Sequence, residues 1–403
     1  MIVWIVNPYG SLQDEAWQEY RSSMLARALA RAGHRAVWWI SSFEHRSKRF
    51  RTESWRRSEL DERTSLIIVP TTPYRDHISL ARIRSERTFA RHVVEQAPRE
   101  PRPDVVVLAE PALFFGGPVV RWCRREGIRL VIDILDLWPE LFRVVLPASL
   151  RGLDRAVFAP LYARRRRLLG SADGVVAVCR DYLGPAREAG VTCPTDVCYL
   201  GIPPARDGTT AAAVPGLPGK SPGEVWFVYA GTFGEAYGLQ TVAKAAGVLL
   251  ARGARCRFVF AGAGPLQPVV ERLAAAHPDA VHFLGTLTPP QLREVYRACD
   301  AGLCSYAPDT TVAMPVKLYD YLGAGLAVVN SLVGECGELV RSSGCGFNYA
   351  AGDAASLLDT LQRCIDQPDV LAAARAASSQ AAGSFDADAQ HDRFVSFIER
   401  VAR

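Results

Sequence analysis

The sequence predicts an α/β protein of two doubly wound, Rossmann-like domains facing each other across a cleft. Three observations predict it. Short apolar, β-branched runs alternate with helix-length amphipathic stretches along the whole chain, a Pro/Gly-rich segment divides it near the middle, and glycine turns follow several of the runs. At 403 residues, 49% hydrophobic and 22% charged, the chain is long enough for two cores.

In chain order the first half contributes the strand candidates IVWIVN, HRAVWWISS, SLIIVP, DVVVLAE, RLVIDIL and GVVAVC. Residues 201–224, GIPPARDGTTAAAVPGLPGKSPGE, hold five Pro and five Gly and cannot continue a sheet. The second half resumes with VWFVYAG, CRFVFAG, VHFLG, AGLCSY and LAVVNS. The expected organisation is a Rossmann-like domain over 1–203, a linker over 204–224, a second Rossmann-like domain over 225–384 and a terminal helix over 385–403. Phe394, Phe397, Ile398 and Val401 recur at helical spacing in that last segment, which should pack on the body of the protein. Ligands of such sheets bind beyond the carboxyl ends of the strands, so function is expected there.

Composition narrows the function classes. The apolar stretch VVVLAEPALFFGGPVV is broken by Glu110, Pro111 and Pro118, and MIVWIVNPYG lacks a preceding basic region, so a cytoplasmic chain without a span is expected. The ten cysteines follow no C-x-x-C spacing and read as buried free thiols. Residues 1–200 carry 31 Lys+Arg against 23 Asp+Glu, whereas the remainder carries 16 against 19. The basic runs HRSKRFRTESWRR (45–57) and YARRRRLLG (162–170) fit either an anionic partner or a solvated face. They lack interleaved aromatic platforms, which argues against nucleic acid. A D-x-D at 386–388 opens the terminal helix rather than following a strand, so no metal site is expected.

The second half holds the densest chemistry. Gly231 and Gly234 flank Thr232 and Phe233, letting the backbone turn tightly beside a ligand, and the helix from about Leu239 would offer its amide end to a diphosphate. FAGAGPLQP places Gly262 and Gly264 after the next strand, and FLGTLT offers Leu284, Gly285 and Thr286 to a base. In MPVKLYDYLGAG, Lys317 and Asp320 lie three apart on one helix face. Either they pair with each other, or Lys317 meets a phosphate while Asp320 accepts hydrogen bonds from a ribose diol.

DILDLWPE (133–140), YAGTFGEAYGL (229–239), FAGAGPL (260–266), VHFLG (281–285) and MPVKLYDYLGAGLAVV (314–329) together resemble the family-four retaining glycosyltransferases of the GT-B fold, with most likeness to the WbuB-like subgroup of bacterial surface-polysaccharide assembly. SSFEHRSKRF (41–50) and ARALARAGHRAVWW (26–39) fit that subgroup's amino-terminal domain. The resemblance implies retaining, metal-independent transfer of a sugar from a nucleotide diphosphate, usually UDP, to a hydroxyl acceptor bound by the first domain, with no cofactor beyond the nucleotide-sugar itself. Donor binding falls to Gly10, Gly231, Thr232, Gly262, Leu284, Gly285, Thr286, Lys317, Leu318 and Asp320, with the loop 7–15 around Gly10 closing over the donor. Acceptor binding falls to Arg21, Asp133 and Trp138; Lys317, Asp136 and Glu235 are the candidates for catalysis.

Three departures stand against the family pattern. Counting eight back from Asp320 gives Val312 where the family has a first glutamate, Thr232 and Tyr237 replace cations of the glycine turn, and Asp320 is itself one methylene shorter than the usual glutamate. The transferred sugar therefore stays open, and Glu235 is the candidate to replace the missing acid. So does the acceptor: a lipid-diphosphate-linked saccharide, with peripheral contact of the basic half on the inner face of the cell membrane, or a soluble small molecule. A UDP-sugar 2-epimerase of the same architecture and a non-catalytic binding protein are the rival readings.

Overall fold

The computed structural model describes residues 1–12, 15, 21–204 and 213–403, which divide into two compact units: Met1–Gly201 with Ala387–Arg403, and Ile202–Asp386.

The first unit is built on β1 (Ile2–Val6), β2 (Arg35–Ser41), β3 (Arg56–Glu59), β4 (Thr64–Val69), β5 (Val105–Glu110), β6 (Arg129–Ile134), β7 (Gly174–Ala177) and β8 (Thr195–Val197). They form one sheet in the order β3-β4-β2-β1-β5-β6-β7-β8, parallel except for the β3 edge. Buried on both faces, β4 and β5 are wholly apolar at their centres, as a covered parallel sheet requires. The terminal helix Ala387–Ala402 buries Phe394, Phe397, Ile398 and Val401 in the same core as Val3, Leu25, Val131 and Val176. Its return fixes Gly174, where an added Cβ would lie 2.7 Å from Val401 and 2.9 Å from Phe397.

The second unit uses β9 (Val225–Ala230), β10 (Cys256–Ala261), β11 (Val281–Phe283), β12 (Ala301–Cys304), β13 (Ala327–Asn330) and β14 (Gly346–Asn348). All pairings are parallel, in the order β11-β10-β9-β12-β13-β14. Strand order reverses at β9, so the crevice of this sheet opens between the carboxyl ends of β9 and β12.

The expected linker lies partly outside the described residues. Its last residues are anchored to the second unit: Lys220 pairs with Asp300 at 2.5 Å, and Glu224 pairs with Arg257 at 3.0 Å. All ten cysteines are free, and all but Cys193 are buried.

Candidate active site

At the crevice of the second unit, three turns lie side by side. Gly231 N–H donates to Ala261 O (2.9 Å), Phe233 N–H to Ala263 O (2.9 Å) and Gly262 N–H to Gly285 O (2.7 Å). This packing explains most of the glycines. A Cβ on Gly262 would fall 1.9 Å from Gly231 O, and one on Gly264 2.6 Å from Phe233 O, so both positions are glycine because one turn lies against the next. The missing side chain at Gly262, expected to let a donor approach closely, is thus accounted for by the neighbouring turn. Gly231 is different: it is exposed, holds φ +135°, and its missing Cβ looks onto Lys317, 3.7 Å from Nζ. Gly285, at φ +64°, has open space, and Thr286 is exposed beside half-buried Leu284, whose N–H donates to Phe260 O (2.9 Å).

Lys317 enters from helix Val316–Gly323, which Pro315 starts just past the loop after β12. Only 7% of it is exposed, yet its Nζ has no hydrogen-bond partner. It lies over the rings of Tyr229 at 3.9 Å, Tyr306 at 5.1 Å and Tyr237 at 5.2 Å. Cation–π attraction from three rings offsets part of the desolvation of the ammonium without satisfying its donors. Burial accordingly lowers its pKa to about 8, with Cys304 and Asp320 pulling the other way. The surface ion pair that was the alternative for Lys317 and Asp320 does not form, because the ammonium turns inward to the tyrosines. Asp320 stands one turn on, half-buried.

The helix Leu239–Ala251 begins at Gly238, φ +60°, where a Cβ would meet Ser305 Oγ at 2.6 Å. Ala307 N–H donates to Ala236 O (2.9 Å), tying the loop after β12 to the turn after β9. A helix amide end, a backbone turn and an unpartnered cation thus converge on one crevice, the arrangement an anionic diphosphate requires. Thr232 and Glu235 are exposed on that turn. Leu318 is a correction: its side chain is fully buried and its N–H already donates to Pro315 O (3.0 Å), so neither is left for a donor.

In the first unit the expected residues are mostly paired with each other. Arg21 Nε and Nη2 donate to the two oxygens of Asp133 at 2.8 and 2.6 Å, Nη1 donates to Cys198 O, and the guanidinium lies 4.5 Å from the Phe394 ring centre. Both side chains are nearly inaccessible, at 5% and 3% exposure, which removes Arg21 and Asp133 as acceptor-binding residues. Trp138 is buried among Leu113, Phe114 and Phe142 with Arg82 4.2 Å over its ring, so it offers no face to a sugar. Gly10 is buried as well: a Cβ there would strike Trp38 at 2.6 Å, and its carbonyl accepts from Arg51 at 2.8 Å. Its glycine serves that packing rather than a donor. The rest of the loop 7–15 falls partly outside the described residues.

Asp136 remains. Glu140 is held by Arg165 through two 2.6 Å bonds, whereas no ion pair holds Asp136, whose pKa burial raises. Beside it the structure adds Glu110, the last residue of β5. Glu110 is fully buried and no described side chain donates to its carboxylate; burial, with Asp136 and Glu140 adding to it against Arg165, pushes its pKa well up. Burial thus favours its protonated form. Among the described residues no group of three or more His, Cys, Asp or Glu side chains is placed to hold a metal ion. Asp388 of the D-x-D pairs with Arg31 at 3.0 Å.

A family model described as glycosyl transferase 4-like domain matches residues 18–201, and one described as glycosyl transferases group 1 matches residues 224–367. This chain is a glycosyltransferase of the GT-B type. No curated protein sequence matches it significantly. Solved structures match over nearly the full length: a sucrose-phosphate synthase from Thermosynechococcus elongatus (TM-score 0.76, 16% identity, 99% of this chain and 98% of that one) and an α,α-trehalose-phosphate synthase (UDP-forming) from Burkholderia vietnamiensis (0.66, 12%, 99% and 99%). Anabaena HepE, solved in complex with UDP-glucose, matches with TM-score 0.63 and 15% identity over 99% and 100%. At these identities the likeness is one of fold.

Proposed function

We propose that this glycosyltransferase is a retaining, metal-independent enzyme that moves a sugar from a UDP-sugar to a hydroxyl acceptor, within the WbuB-like branch of family four. The observation that carries the proposal is the unpartnered Lys317 ammonium beneath Gly231, at the point where the second sheet reverses its strand order.

A β-phosphate seated on the Gly231–Thr232 turn would give that ammonium the oxygen partner it lacks. Charge developing on the leaving diphosphate is then met by Lys317 and by the helix amides behind Gly238, a preorganised stabilisation that needs no enzymatic base and no metal ion. The acceptor oxygen bonds to the anomeric carbon on the face from which the diphosphate departs, which gives retention, and the departing phosphate oxygen takes the acceptor's proton. Asp320, one helical turn along, is assigned the ribose hydroxyls; the base is assigned to the Leu284–Thr286 turn, and Glu235 to the transferred sugar. On the acceptor side Asp136, a carboxyl that no described cation pairs with, is assigned the hydroxyl, with lipid-linked saccharides and small natural products as the acceptor classes. A UDP-glucose complex of Anabaena HepE supports the choice of donor.

The test is a thermal-shift panel of UDP, GDP, dTDP, ADP and CMP against wild type, Lys317→Met and Asp320→Asn. A ligand that binds only the native state must raise the melting temperature. UDP should stabilise wild type and lose most of that effect in both variants. Transfer from UDP-sugars by Lys317→Met should fall roughly 10²- to 10³-fold, the range seen when one donor to a developing oxyanion is removed. A UDP shift equal in wild type and Lys317→Met sinks the proposal, and so does activity that EDTA abolishes and manganese restores.

A further inference from the structure

We propose that the segment Glu140–Leu169 of the first unit is a docking surface for an anionic phospholipid bilayer. Two observations meet there.

The first is apolar. Among the described residues, Val144, Val145, Leu150, Leu153 and Val157 expose 56, 53, 43, 56 and 51% of their surface within fourteen positions. They sit on the short turns Glu140–Val145, Ala148–Leu153 and Asp154–Val157, which bury little: Phe142 alone among their described side chains is buried. A water-facing role does not call for five branched aliphatic side chains in a row of turns, and monomeric surfaces rarely concentrate them.

The second is electrostatic. Arg164, on helix Ala159–Leu169, and Arg121, on helix Gly116–Glu126, both reach over Gly117: a Cβ there would lie 3.5 Å from Arg121 Nη1 and 3.9 Å from Arg164 Nη2. Arg87 joins them from helix Leu80–Gln96; burial, then Arg87 and Arg121, lower the pKa of Arg164. Cations gather in this way where an anion is to be shared.

The two features border one another. Ile83, one turn before Arg87, packs with Leu141, Phe158 and Leu161 on the small cluster of Leu113, Phe114, Trp138 and Phe142, and the Arg164 guanidinium lies 5.7 Å from the Phe114 ring centre. Arg143, Arg166 and Arg167 of the same segment are exposed as well. Exposed aliphatic side chains on a segment that borders a cluster of guanidinium groups match the boundary between acyl chains and phosphate headgroups. A second copy of this chain is a poorer occupant, because it would bring one basic unit, 31 Lys+Arg against 23 Asp+Glu over residues 1–200, against another. No described helix is long and apolar enough to cross a membrane, so the contact is one of lying on the surface.

Sedimentation of the full chain with vesicles of phosphatidylcholine alone, or mixed with phosphatidylglycerol, tests the proposal. Binding is expected only with phosphatidylglycerol and should fade at high salt. Arg87→Glu with Arg121→Glu should weaken partitioning by roughly fivefold or more per arginine, and Val144→Ser with Val145→Ser and Leu153→Ser by roughly tenfold. All five positions are exposed, so the fold should persist, checked by an unchanged UDP thermal shift. Failure of wild type to sediment with phosphatidylglycerol vesicles overturns the proposal, as does wild-type partitioning by both variants. A vesicle-free dimer that the serine variant dissolves, without vesicle binding by wild type, assigns the patch to a second copy instead.

Discussion

The carboxyl ends of the two sheets handle charge in opposite ways. In the first unit, the buried cations near the strand ends meet carboxylates: Arg21 with Asp133, Arg165 with Glu140, and Arg82 with Glu86 at 2.9 Å, Tyr9 also donating its hydroxyl to Glu86. In the second, Lys317 is buried without an ion pair and is wrapped in tyrosine rings instead. A paired charge stabilises its fold by holding its partner; an unpaired one raises the energy of the empty protein and lowers it again only when an anion arrives. The contrast separates scaffold from site more sharply than residue type does, since both ends hold the same kinds of side chain.

The largest effect should come from breaking a scaffold pair. Arg21→Met leaves Asp133 ionised and buried, which costs about 3–5 kcal/mol. Urea unfolding should show that loss in the first unit, while UDP still raises the melting temperature of whatever folded protein remains. A loss under 1 kcal/mol would mean that water reaches Asp133 and would return the pair to the list of acceptor contacts.

Glycines offer a finer version of the same comparison. Gly262→Ala drives a Cβ into Gly231 O at a backbone angle of φ +144°, so the turn under the diphosphate must shift; about 3 kcal/mol of stability and most of the UDP shift should be lost together. Gly285→Ala keeps φ +64° with open space around the new methyl and should cost about 1–2 kcal/mol, leaving UDP binding in place. Equal effects from the two would separate the Gly231 turn from the nucleotide.

Much of this was legible in the sequence, and the exceptions have physical causes. The eleven strand candidates each overlap an observed strand because a sheet covered on both faces needs continuous apolar runs. β3 (Arg56–Glu59) escaped because an antiparallel edge strand faces water and reads RRSE; β8 and β14 are three residues long, too short for a period to show. At the site, Lys317 and Gly231 stood out by type and place, ahead of a helix and behind a strand. The tyrosine cage did not: Tyr229 lies inside β9 and reads as core, and nothing local marks Tyr306 as its neighbour. Pairs such as Arg21 and Asp133, 112 residues apart, are set by topology alone. Glu110 entered the sequence reading only as a break in an apolar stretch; its full burial and raised pKa show only in the fold.

The effect that develops most gradually, and the most diagnostic, is that of pH on Lys317. Its pKa in the folded chain is about 8, against 10.5 for an ordinary lysine. Below pH 8 both folded and unfolded chains hold the proton; between about 8 and 10.5 the unfolded chain holds it and the folded one has shed it. Stability of the ligand-free protein therefore rises with pH across that window, by on the order of 3 kcal/mol in total, and is lost again as pH falls through about 8. A diphosphate prefers the ammonium, so UDP affinity should move the other way and fall across the same window. Tyr229 and Tyr306 line the cage, but burial raises both pKa values well above the usual tyrosine range, which keeps their rings neutral throughout. Lys317→Met should flatten both slopes at once. If UDP affinity and ligand-free stability instead rise together with pH, the ammonium is not the group that meets the phosphate, and the cage is scaffold like the pairs of the first unit.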